Sequence, residues 1–428
     1  MEASQPRIPE EAALLDKEYL ISMKRVVITG MGIWSCLGTT LDEVRDALYN
    51  GKSGVFFSQE RKDAGFRSAL CTDVKKPDLK PYVKRNLRQF MPEEAQYAYM
   101  ATRQALEMAK MDQEFIDSHE VGIIYGNDSV AEATMVALDK FREFKDTEMC
   151  GSGAIFQSMN STISMNLACL FHLKGINLTA SSACSSSSQA IGLAALLIRN
   201  GLQDYVVCGG AEENNMYGIA SFDGIQAFST REDAPTKASR PFDRDRDGLV
   251  PGGGAATVIV EDYEHAVKRG APIIAEVVGW GFSGNGDHIS TPTVEGPARS
   301  LKHCIENSGI KDIREIGYVN AHATSTHVGD SREALAIAQN FGDYRVPVTS
   351  TKSQTGHEMW MAGASEVIYS TLMMKNDFIA GNINFENPDE ESAKLNIIPE
   401  TQQAHFDMFL SNSFGFGGTN STLIIKNI

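Results

Sequence analysis

Strand-like and helix-like segments alternate along most of the chain, and this alternation constrains the fold more than any other feature. Short apolar runs end in glycine or polar turns, and longer segments with apolar residues at helical spacing follow them. Strands that alternate with helices indicate an α/β protein whose parallel sheets are covered on both faces. The predicted strands fall at residues 24–30, 121–126, 175–178, 204–209, 256–261, 273–280, 316–321, 346–350, 408–412 and 421–426.

A weak internal repeat is visible within this alternation. A strand, a turn with Cys184, an apolar helix and Asn200-Gly201 lead into the next strand. The same pattern returns as a strand, a turn with His357, an apolar helix and Asn376-Asp377. Recurrence of one supersecondary unit predicts two related βα halves that face each other. Each half is expected to deliver a reactive residue at the equivalent turn.

The repeat suggests a division of the chain into three parts. The N-terminal half contains the cysteine turn, and the C-terminal half contains the histidine turn. The segment before the first strand is expected to be an extension, either a short helix around residues 10–19 or a disordered stretch. The predicted boundaries are 1–22 for the extension, 23–270 for the first half and 271–428 for the second half.

Charge and cysteine usage exclude several classes of protein. The net charge is −16, whereas nucleic-acid binding needs a basic face. No apolar run reaches the roughly 18 residues that a membrane-spanning helix requires. The seven cysteines are widely spaced and contain no C-x-x-C pair, so they predict neither a disulfide framework nor a zinc site. This pattern fits a reducing cytoplasm.

An acid-rich segment in the middle of the chain resembles a calcium loop only superficially. Residues 243–248 have the Asp-x-Asp-x-Asp-Gly spacing of an EF-hand. The twelfth position of such a loop is Gly254 rather than a bidentate glutamate, and the flanking segments are not helical in pattern. We therefore expect no metal here, and no metal site elsewhere in the chain.

Cys184 is the first candidate for a reactive residue. It lies where a short strand turns into the apolar helix that begins near Ala190, and small residues crowd both sides of it. Free N–H groups at a helix N-terminus favour an anion, so we expect a lowered thiol pKa and a nucleophilic thiolate. From this stretch alone, a buried structural cysteine is an equal alternative.

Three stretches of the second half end predicted strands with further reactive side chains. They supply His322, Lys352, His357 and a glycine-rich loop at residues 412–420. Because the carboxyl ends of parallel strands gather at one crevice, we expect these groups to meet Cys184 there. A thiolate can hold an acyl group, and two histidines can donate hydrogen bonds to one developing oxyanion. Such a set suits carbanion chemistry better than hydrolysis.

Each of these groups taken alone has a structural alternative. Either histidine can be a hydrogen-bonded structural residue, Lys352 can be a solvated surface lysine, and the glycine-rich loop can be a tight turn. It is the combination of all four with a cysteine at a strand-to-helix turn that favours catalysis.

Together, these stretches resemble the β-ketoacyl-acyl-carrier-protein synthases of the elongating type I/II, which belong to the condensing-enzyme, thiolase-like family. The resemblance extends from Lys24 to the C-terminus and depends on four motifs. It implies a thiolase-like fold in which two related halves form a layered α-β-α-β-α architecture. The motifs are residues 27–33, 179–185, 240–248 and 412–420.

The resemblance also implies an activity and a set of residue roles. The activity is a decarboxylative Claisen condensation of malonyl carrier protein with an acyl chain held as a thioester, an acyltransferase reaction of fatty-acid or polyene/polyketide-type elongation. Catalytic roles fall on Cys184 as the nucleophile, on His322 and His357 as groups that polarise the malonyl carbonyl, and on Lys352 as the organiser of the site with Glu333 as its partner. The backbone N–H groups of Cys184 and Phe416 would form the oxyanion hole, Phe416 would gate the acyl pocket, and Thr324 and Thr326 would bind the pantetheine arm.

The partners implied by the resemblance are the acyl carrier protein and a second subunit. The phosphopantetheine arm arrives on the carrier, so no bound cofactor is expected. The protein is expected to be a homodimer, or a heterodimer with a related subunit. An acidic carrier requires a local basic patch, for which scattered solvated charges are the alternative. The expected patch residues are Lys62, Arg67, Arg142 and Lys145.

The chain departs from the family pattern around both histidines. Ala323 stands where glycine usually follows the first histidine, and His327 stands where proline is common. After His357 the family has small residues, whereas this chain has Glu-Met-Trp-Met at 358–361. Trp360 in place of glycine must displace something near the catalytic turn. The acyl preference of this protein is therefore expected to differ from that of housekeeping enzymes, as it would in a synthase of polyene or pigment chains.

Two other functions fit parts of the pattern. A non-catalytic chain-length partner subunit would share the fold but lack the nucleophile, and Cys184 argues against it. A thiolase or acyl hydrolase is the second alternative. A biosynthetic thiolase of this fold would use another cysteine near the C-terminus, and no cysteine follows Cys304.

Overall fold

The computed structural model describes residues 23–428, so the predicted extension at 1–22 lies outside the described residues. The strands are β1 (Val26–Trp34), β2 (Val55–Phe57), β3 (Leu70–Thr72), β4 (Val121–Gly126), β5 (Asn177–Ala180), β6 (Tyr205–Glu212), β7 (Gly254–Asp262), β8 (Ala275–Gly284), β9 (Tyr318–Asn320), β10 (Pro347–Thr349), β11 (Phe378–Ile379), β12 (Asn396–Ile397), β13 (Gln402–Gln403), β14 (Met408–Gly415) and β15 (Thr419–Asn427).

The helices connect these strands and cover the sheet. The α-helices are α1 (Leu41–Tyr49), α2 (Gln59–Asp63), α3 (Arg85–Arg88), α4 (Glu93–Met108), α5 (Gln113–Ser118), α6 (Glu132–Phe144), α7 (Ala154–Gln157), α8 (Thr162–Phe171), α9 (Ser186–Arg199), α10 (Met216–Gly224), α11 (Tyr263–Arg269), α12 (Glu295–Ser308), α13 (His327–Phe341), α14 (Lys352–Thr355) and α15 (Ala362–Lys375). Short 3₁₀ helices lie at Thr147–Cys150, Ala183–Ser185, Pro235–Lys237, Ile313–Glu315, Met359–Met361, Ser392–Lys394 and Phe416–Gly418.

The main sheet has 11 strands in the order β12-β10-β9-β14-β15-β8-β1-β7-β6-β4-β5. The prediction of wholly parallel sheets is wrong for its middle. The outer strands pair in parallel, but β1, β7, β8 and β15 pair antiparallel with their neighbours. The physical reason is the connections: β14 and β15 are joined by a tight turn, which only antiparallel strands permit.

The strand order shows the internal repeat directly. Before residue 270 the order is β5-β4-β6-β7-β1, and after it the order is β10-β9-β14-β15-β8, with β12 added at the edge. When the five strands of each part are numbered along the chain, both parts read 3-2-4-5-1. The two parts therefore have the same topology, as the recurring sequence pattern predicted.

Two equivalent helices form the middle layer of the molecule. Helices α9 and α15 each span 14 residues, follow a three-residue 3₁₀ helix and pack against each other. Gly363 permits this approach, because a Cβ at this position would lie 2.6 Å from the Ser188 Cβ. Helices α4 and α8 cover one outer face, and α12 and α13 cover the other. The two parts of the main sheet are the two β layers on either side of the middle helices, which gives the predicted α-β-α-β-α layering.

Candidate active site

The residues singled out from sequence converge on one cavity of about 370 Å³. The nucleophile candidate from the first half and the histidines from the second half share its walls. Lys352 does not line the cavity and lies behind it. The predicted residues among the lining are Cys184, His322, Thr324, Thr326, Glu333, His357 and Phe416.

A strained turn presents Cys184 at the start of the middle layer. Ala183 has φ +49°, a left-handed conformation that is costly for a residue with a Cβ. The 3₁₀ helix 183–185 continues directly into α9, so Cys184 lies at the N-terminal end of a helical stretch, as predicted. Cys184 as a whole residue is 6% exposed.

The glycine-rich loop packs against this same turn. The Thr419 hydroxyl donates to the Ser182 carbonyl at 2.8 Å, and the Ser185 hydroxyl donates to Thr419 at 3.1 Å. A Cβ on Gly415 would lie 3.0 Å from the Ala183 Cβ, so the two segments are in close contact. The loop therefore carries Phe416 beside the residue that precedes the cysteine.

His357 is in direct contact with the thiol. Its Nε2 lies 3.1 Å from the Cys184 Sγ, and its Nδ1 accepts a hydrogen bond from the Met359 N–H at 3.3 Å. Because an accepting Nδ1 carries no proton, the neutral ring must carry its proton on Nε2. Burial and the charge of Lys352 keep the pKa of His357 well below its ordinary value. The side chain is thus a neutral donor aimed into the cavity.

The expectation of a lowered thiol pKa is wrong for this resting site. Burial raises the pKa of Cys184 to about 12, which outweighs the opposing effect of the Lys352 charge. The helix N-terminus is present, but removal of water disfavours the thiolate more than these groups favour it. The resting cysteine is therefore a protonated thiol.

His322 lies against His357 and is held through its backbone. The two ring centroids are 5.3 Å apart and the rings meet edge to face. Burial, followed by the charge of Lys352, also keeps the pKa of His322 well below its ordinary value. Its Nδ1 has no partner among the described residues. Two neutral imidazoles therefore face the same small volume beside the thiol.

The structure corrects the predicted partner of Lys352. Its ammonium group, with the residue 1% exposed, forms an ion pair with Glu366 on α15 rather than with Glu333. The Glu333 carboxylate is used elsewhere, since it accepts from the N–H groups of His322 at 2.9 Å and Ala323 at 2.7 Å. Asn412 also donates to it at 3.0 Å. Glu333 therefore fixes the His322 turn.

Asp330 and Arg246 hold the predicted pantetheine threonines and were not found from sequence. Asp330 accepts from the N–H groups of Thr324 at 2.9 Å and Thr326 at 3.2 Å. The Arg246 guanidinium donates to the carbonyls of Thr326 at 3.0 Å and His327 at 2.8 Å. Arg246 belongs to the 240–248 motif, which thus clamps the turn after His322.

The residue equivalent to Cys184 in the second half is Trp360, not His357. Met359 has φ +44°, as Ala183 has φ +49°, and each residue begins a short 3₁₀ helix that leads into a middle-layer helix. Cys184 and Trp360 each lie two residues before that helix. His357 instead comes at the end of the additional segment, 350–357, that also carries Lys352.

The four expected patch residues lie in two places, and no hydrogen bond or ion pair described for residues 23–428 joins the two. Lys62 pairs with Glu232 at 2.7 Å, and Arg67 donates to the Phe228 carbonyl at 2.5 Å, so both contact the 223–232 segment. Arg142 pairs with Asp139 at 3.2 Å near the end of α6, and Lys145 caps that helix. All four are exposed.

Distance alone would let one metal ion contact the centre of the site. Ligand atoms of Cys184, His322 and His357 all lie within 4.8 Å of one another. The prediction that the chain uses no metal stays a prediction. No helix within 23–428 is both long and apolar enough to span a bilayer.

Glu358, a buried acid next to His357, should make the stability of the protein depend on pH. Burial raises the pKa of Glu358 to about 7 from an ordinary value of 4.5. A raised carboxyl pKa stabilises the folded state below pH 4.5, and this stabilisation is lost as the pH rises through 7. We expect the free energy of unfolding of wild type, relative to Glu358→Gln, to fall by up to about 1.4 kcal/mol per pH unit across this window.

Urea unfolding between pH 5 and 8 checks this expectation. Glu358 accepts from Ser365 at 2.5 Å and Tyr369 at 2.8 Å, and glutamine can keep the shape of these contacts. Glu306→Gln serves as the control, because Glu306 is exposed. A constant difference for Glu358→Gln would contradict the raised pKa.

Comparison with known proteins agrees with this geometry. Residues 23–266 match the family model of the beta-ketoacyl synthase N-terminal domain, and residues 274–386 match that of the C-terminal domain. The 3-oxoacyl-[acyl-carrier-protein] synthase 1 of Haemophilus influenzae is 41% identical over 409 residues, covering 94% of this chain and 99% of the relative.

Solved structures agree as well. A beta-ketoacyl synthase from Burkholderia phymatum superposes with a TM-score of 0.90 at 37% identity, covering 95% of this chain and 100% of that one. A type II polyketide ketosynthase in complex with its acyl-carrier protein gives a TM-score of 0.84 at 26% identity, again over 95% of this chain and 100% of that one. The chain therefore belongs to the β-ketoacyl synthase family of condensing enzymes.

Proposed function

We propose that this chain is a 3-oxoacyl-[acyl-carrier-protein] synthase that elongates an acyl chain with malonyl carrier protein. The observation that carries the proposal is the 3.1 Å contact of the Cys184 thiol with His357 Nε2, with His322 beside it in one cavity. A buried thiol next to two neutral donor histidines can hold an acyl group and stabilise an enolate at the same place.

The first step transfers the acyl chain to the enzyme. The Cys184 sulfur attacks the thioester carbonyl of the acyl carrier, and its proton ends on the departing pantetheine thiol. The carbonyl oxygen becomes an oxyanion, for which the N–H groups of Cys184 and Phe416 are the proposed donors. The close packing of the 415–419 loop on the cysteine turn supports this pairing.

The second step generates the nucleophile from malonyl carrier. His322 and His357 donate to the thioester oxygen, the bond to the carboxylate breaks, and carbon dioxide leaves with an enolate behind it. The enolate carbon attacks the Cys184 thioester, and the cysteine sulfur leaves as thiolate. The neutral, Nε2-protonated form of His357 supports this role, because it is a donor without a charge to desolvate.

The arm of the carrier would enter along Thr324 and Thr326, which line the cavity. The phosphopantetheine comes with the carrier, so no bound cofactor or metal is part of the proposal. Lys62, Arg67, Arg142 and Lys145 are the proposed contacts for an acidic carrier. The cysteine pattern supports a cytoplasmic location.

A dimer is part of the proposal, either with a second copy or with a related subunit. Within residues 23–428, strand β5 ends the main sheet and pairs on one side only, and its Leu178 is 41% exposed. An unpaired edge strand is a template for pairing with another chain. Apolar side chains are also exposed on α6, on α7 and just after α7: Met135, Leu138, Phe141, Phe144, Phe156 and Met159.

The role of a non-catalytic chain-length partner is the runner-up. Cys184 and the complete set of donors around it argue for catalysis. Mass spectrometry of the intact protein after incubation with acyl carrier protein separates the two functions. The condensing enzyme gains one acyl group, which maps to Cys184, and then forms ketoacyl product with malonyl carrier; an inert partner subunit does neither.

The two histidines should be needed for decarboxylation but not for acylation. We expect His322→Ala or His357→Ala to retain the acyl-enzyme and to release carbon dioxide about a hundredfold to a thousandfold more slowly, the usual cost of one lost oxyanion donor. The exposed His303→Ala is the control. Equal loss of acylation and decarboxylation in both variants would contradict this division of labour.

A further inference from the structure

The cavity has an apolar side next to Cys184, formed by Phe222, Leu249 and Met359. These side chains belong to one contiguous buried cluster that includes the cysteine itself. The outward part of the cavity is lined by the threonines of the 322–327 turn and opens toward the surface. On this apolar side, an acyl chain bound to the sulfur would lie against the cluster, in which Trp360 packs behind Phe222. The cluster side chains that matter here are Ile219, Phe222, Phe228, Leu249, Met359 and Trp360.

Trp360 lies at one end of a row of aromatic side chains that continues through Phe222 to Phe416. Its ring centroid lies 6.3 Å from that of Phe222, whose ring stacks at 6.2 Å on Phe416. The indole is 4% exposed, and it stands at the position equivalent to Cys184 in the second half. The largest side chain of the cluster thus lies where the cysteine turn and the histidine turn meet.

The backbone of Trp360 cannot withdraw to make room. A Cβ on Gly210 would lie 2.5 Å from the Trp360 carbonyl oxygen, so the turn rests directly on β6. The Trp360 N–H faces the buried Glu212 carboxyl on the same strand. A long chain would have to displace the indole by rotation within a packed cluster, which is costly.

The indole nitrogen has an unsatisfied donor. Trp360 Nε1 is buried and has no hydrogen-bond partner among the described residues. A buried tryptophan N–H normally finds an acceptor, because leaving it unpaired costs free energy. Bulk alone would be supplied by phenylalanine without this cost. The donor is therefore free to pair with an acceptor on a chain that reaches Trp360.

We propose that Trp360 determines which acyl chain Cys184 accepts, by ending the pocket for short chains and by donating its N–H to an oxygen on the chain. The proposal rests on the proposed condensing function and names the substrate class of that same site. The preferred substrate is a short acyl thioester with a hydrogen-bond acceptor toward its far end.

The test measures kcat/KM for Cys184 acylation with carrier proteins loaded with four-, eight- and sixteen-carbon chains, and with an eight-carbon chain that carries a terminal carbonyl. Trp360→Leu removes bulk and donor, whereas Trp360→Phe removes the donor and keeps most of the bulk. Trp280→Leu is the matched control, since Trp280 is 7% exposed and belongs to a different core cluster.

Wild type should prefer the four-carbon chain to the sixteen-carbon chain, and the oxygenated chain to its plain counterpart. Trp360→Leu should raise kcat/KM for the sixteen-carbon chain at least about tenfold, as expected when a pocket gains volume. Trp360→Phe should keep the length limit and lose the preference for oxygen. Trp280→Leu should leave both preferences unchanged.

Two results would overturn the proposal. One is a length profile that is the same in wild type and Trp360→Leu; the other is an oxygen preference that is absent in wild type or persists in Trp360→Phe. Acylation of Cys184 by any chain keeps the condensing function intact in either case. Absence of acylation with every chain would instead contradict the proposed function itself.

Discussion

Replacing Cys184 with alanine should stop ketoacyl formation while carbon dioxide is still released from malonyl carrier. The sulfur is the only group in the proposed mechanism that holds the acyl chain, so the rate of condensation should fall by more than about a thousandfold, or about 4 kcal/mol of transition-state stabilisation. His322 and His357 remain in place, and the decarboxylation they promote needs no thiol. Product analysis by mass spectrometry tests the loss of condensation, and carbon dioxide release measured in parallel tests the retained decarboxylation.

Cys208→Ala is the matched control for this variant. Cys208 is fully buried in the core between the sheet and the middle layer, away from the cavity. Its loss removes a similar volume and leaves the cavity lining unchanged, so condensation should continue. Ketoacyl product from Cys184→Ala at the wild-type rate would show that another group carries the acyl chain.

Lys352→Ala should cause the largest loss of stability among the site variants. The ammonium group and Glu366 are both buried, and removal of one partner leaves the other charge without compensation, at a cost of about 3–5 kcal/mol. Burial raises the pKa of Glu366 to about 7 in the intact protein. The lone carboxyl can take up a proton at lower pH, so the loss should be greater at pH 8 than at pH 6. Urea unfolding at both values measures it.

The double variant Lys352→Met with Glu366→Leu separates pairing from packing. Replacement of a buried ion pair by apolar side chains of similar size is often neutral or stabilising, so the double variant should recover most of the lost stability. It should not recover condensation, because the charge of Lys352 acts on Cys184 and on both histidines. A loss below about 1 kcal/mol in Lys352→Ala would show that the pair is solvated.

The convergence of the site was predictable because it follows from topology. His322 and His357 follow the paired parallel strands β9 and β10, and Cys184 follows β5, which occupies the position in the first half that β10 occupies in the second. Their sequence contexts, small residues before a helix or glycine at a turn, are local signals. The repeat was predictable for the same reason, because each half contains a strand, a turn and a helix in the same order along the sequence.

Other features depend on contacts that leave no local signal. The pairing of Lys352 with Glu366 depends on how α15 is rotated. Glu333 instead accepts three hydrogen bonds, two from the His322 turn and one from Asn412. The raised pKa of the Cys184 thiol reflects burial by distant segments, whereas the helix N-terminus is a local feature. The equivalence of Trp360 and Cys184 required the backbone conformations of both turns.

Antiparallel pairing in the middle of the sheet was missed for a similar reason. The connection from β6 to β7 contains the short helix α10 followed by a long, largely irregular segment, and its length is compatible with either direction. That segment contains the 240–248 motif, whose Arg246 holds the turn after His322. The part of the chain that broke the alternation therefore contributes to the site.

A single-turnover chase tests the central claim that one site holds the acyl chain and makes the enolate. Protein carrying an isotopically labelled acyl group on Cys184, freed of acyl carrier, is mixed with unlabelled malonyl carrier. The account predicts that the label leaves Cys184 and appears in ketoacyl carrier, with one carbon dioxide released for each acyl group transferred. Ketoacyl product without label, formed while the labelled acyl group stays on Cys184, would contradict it.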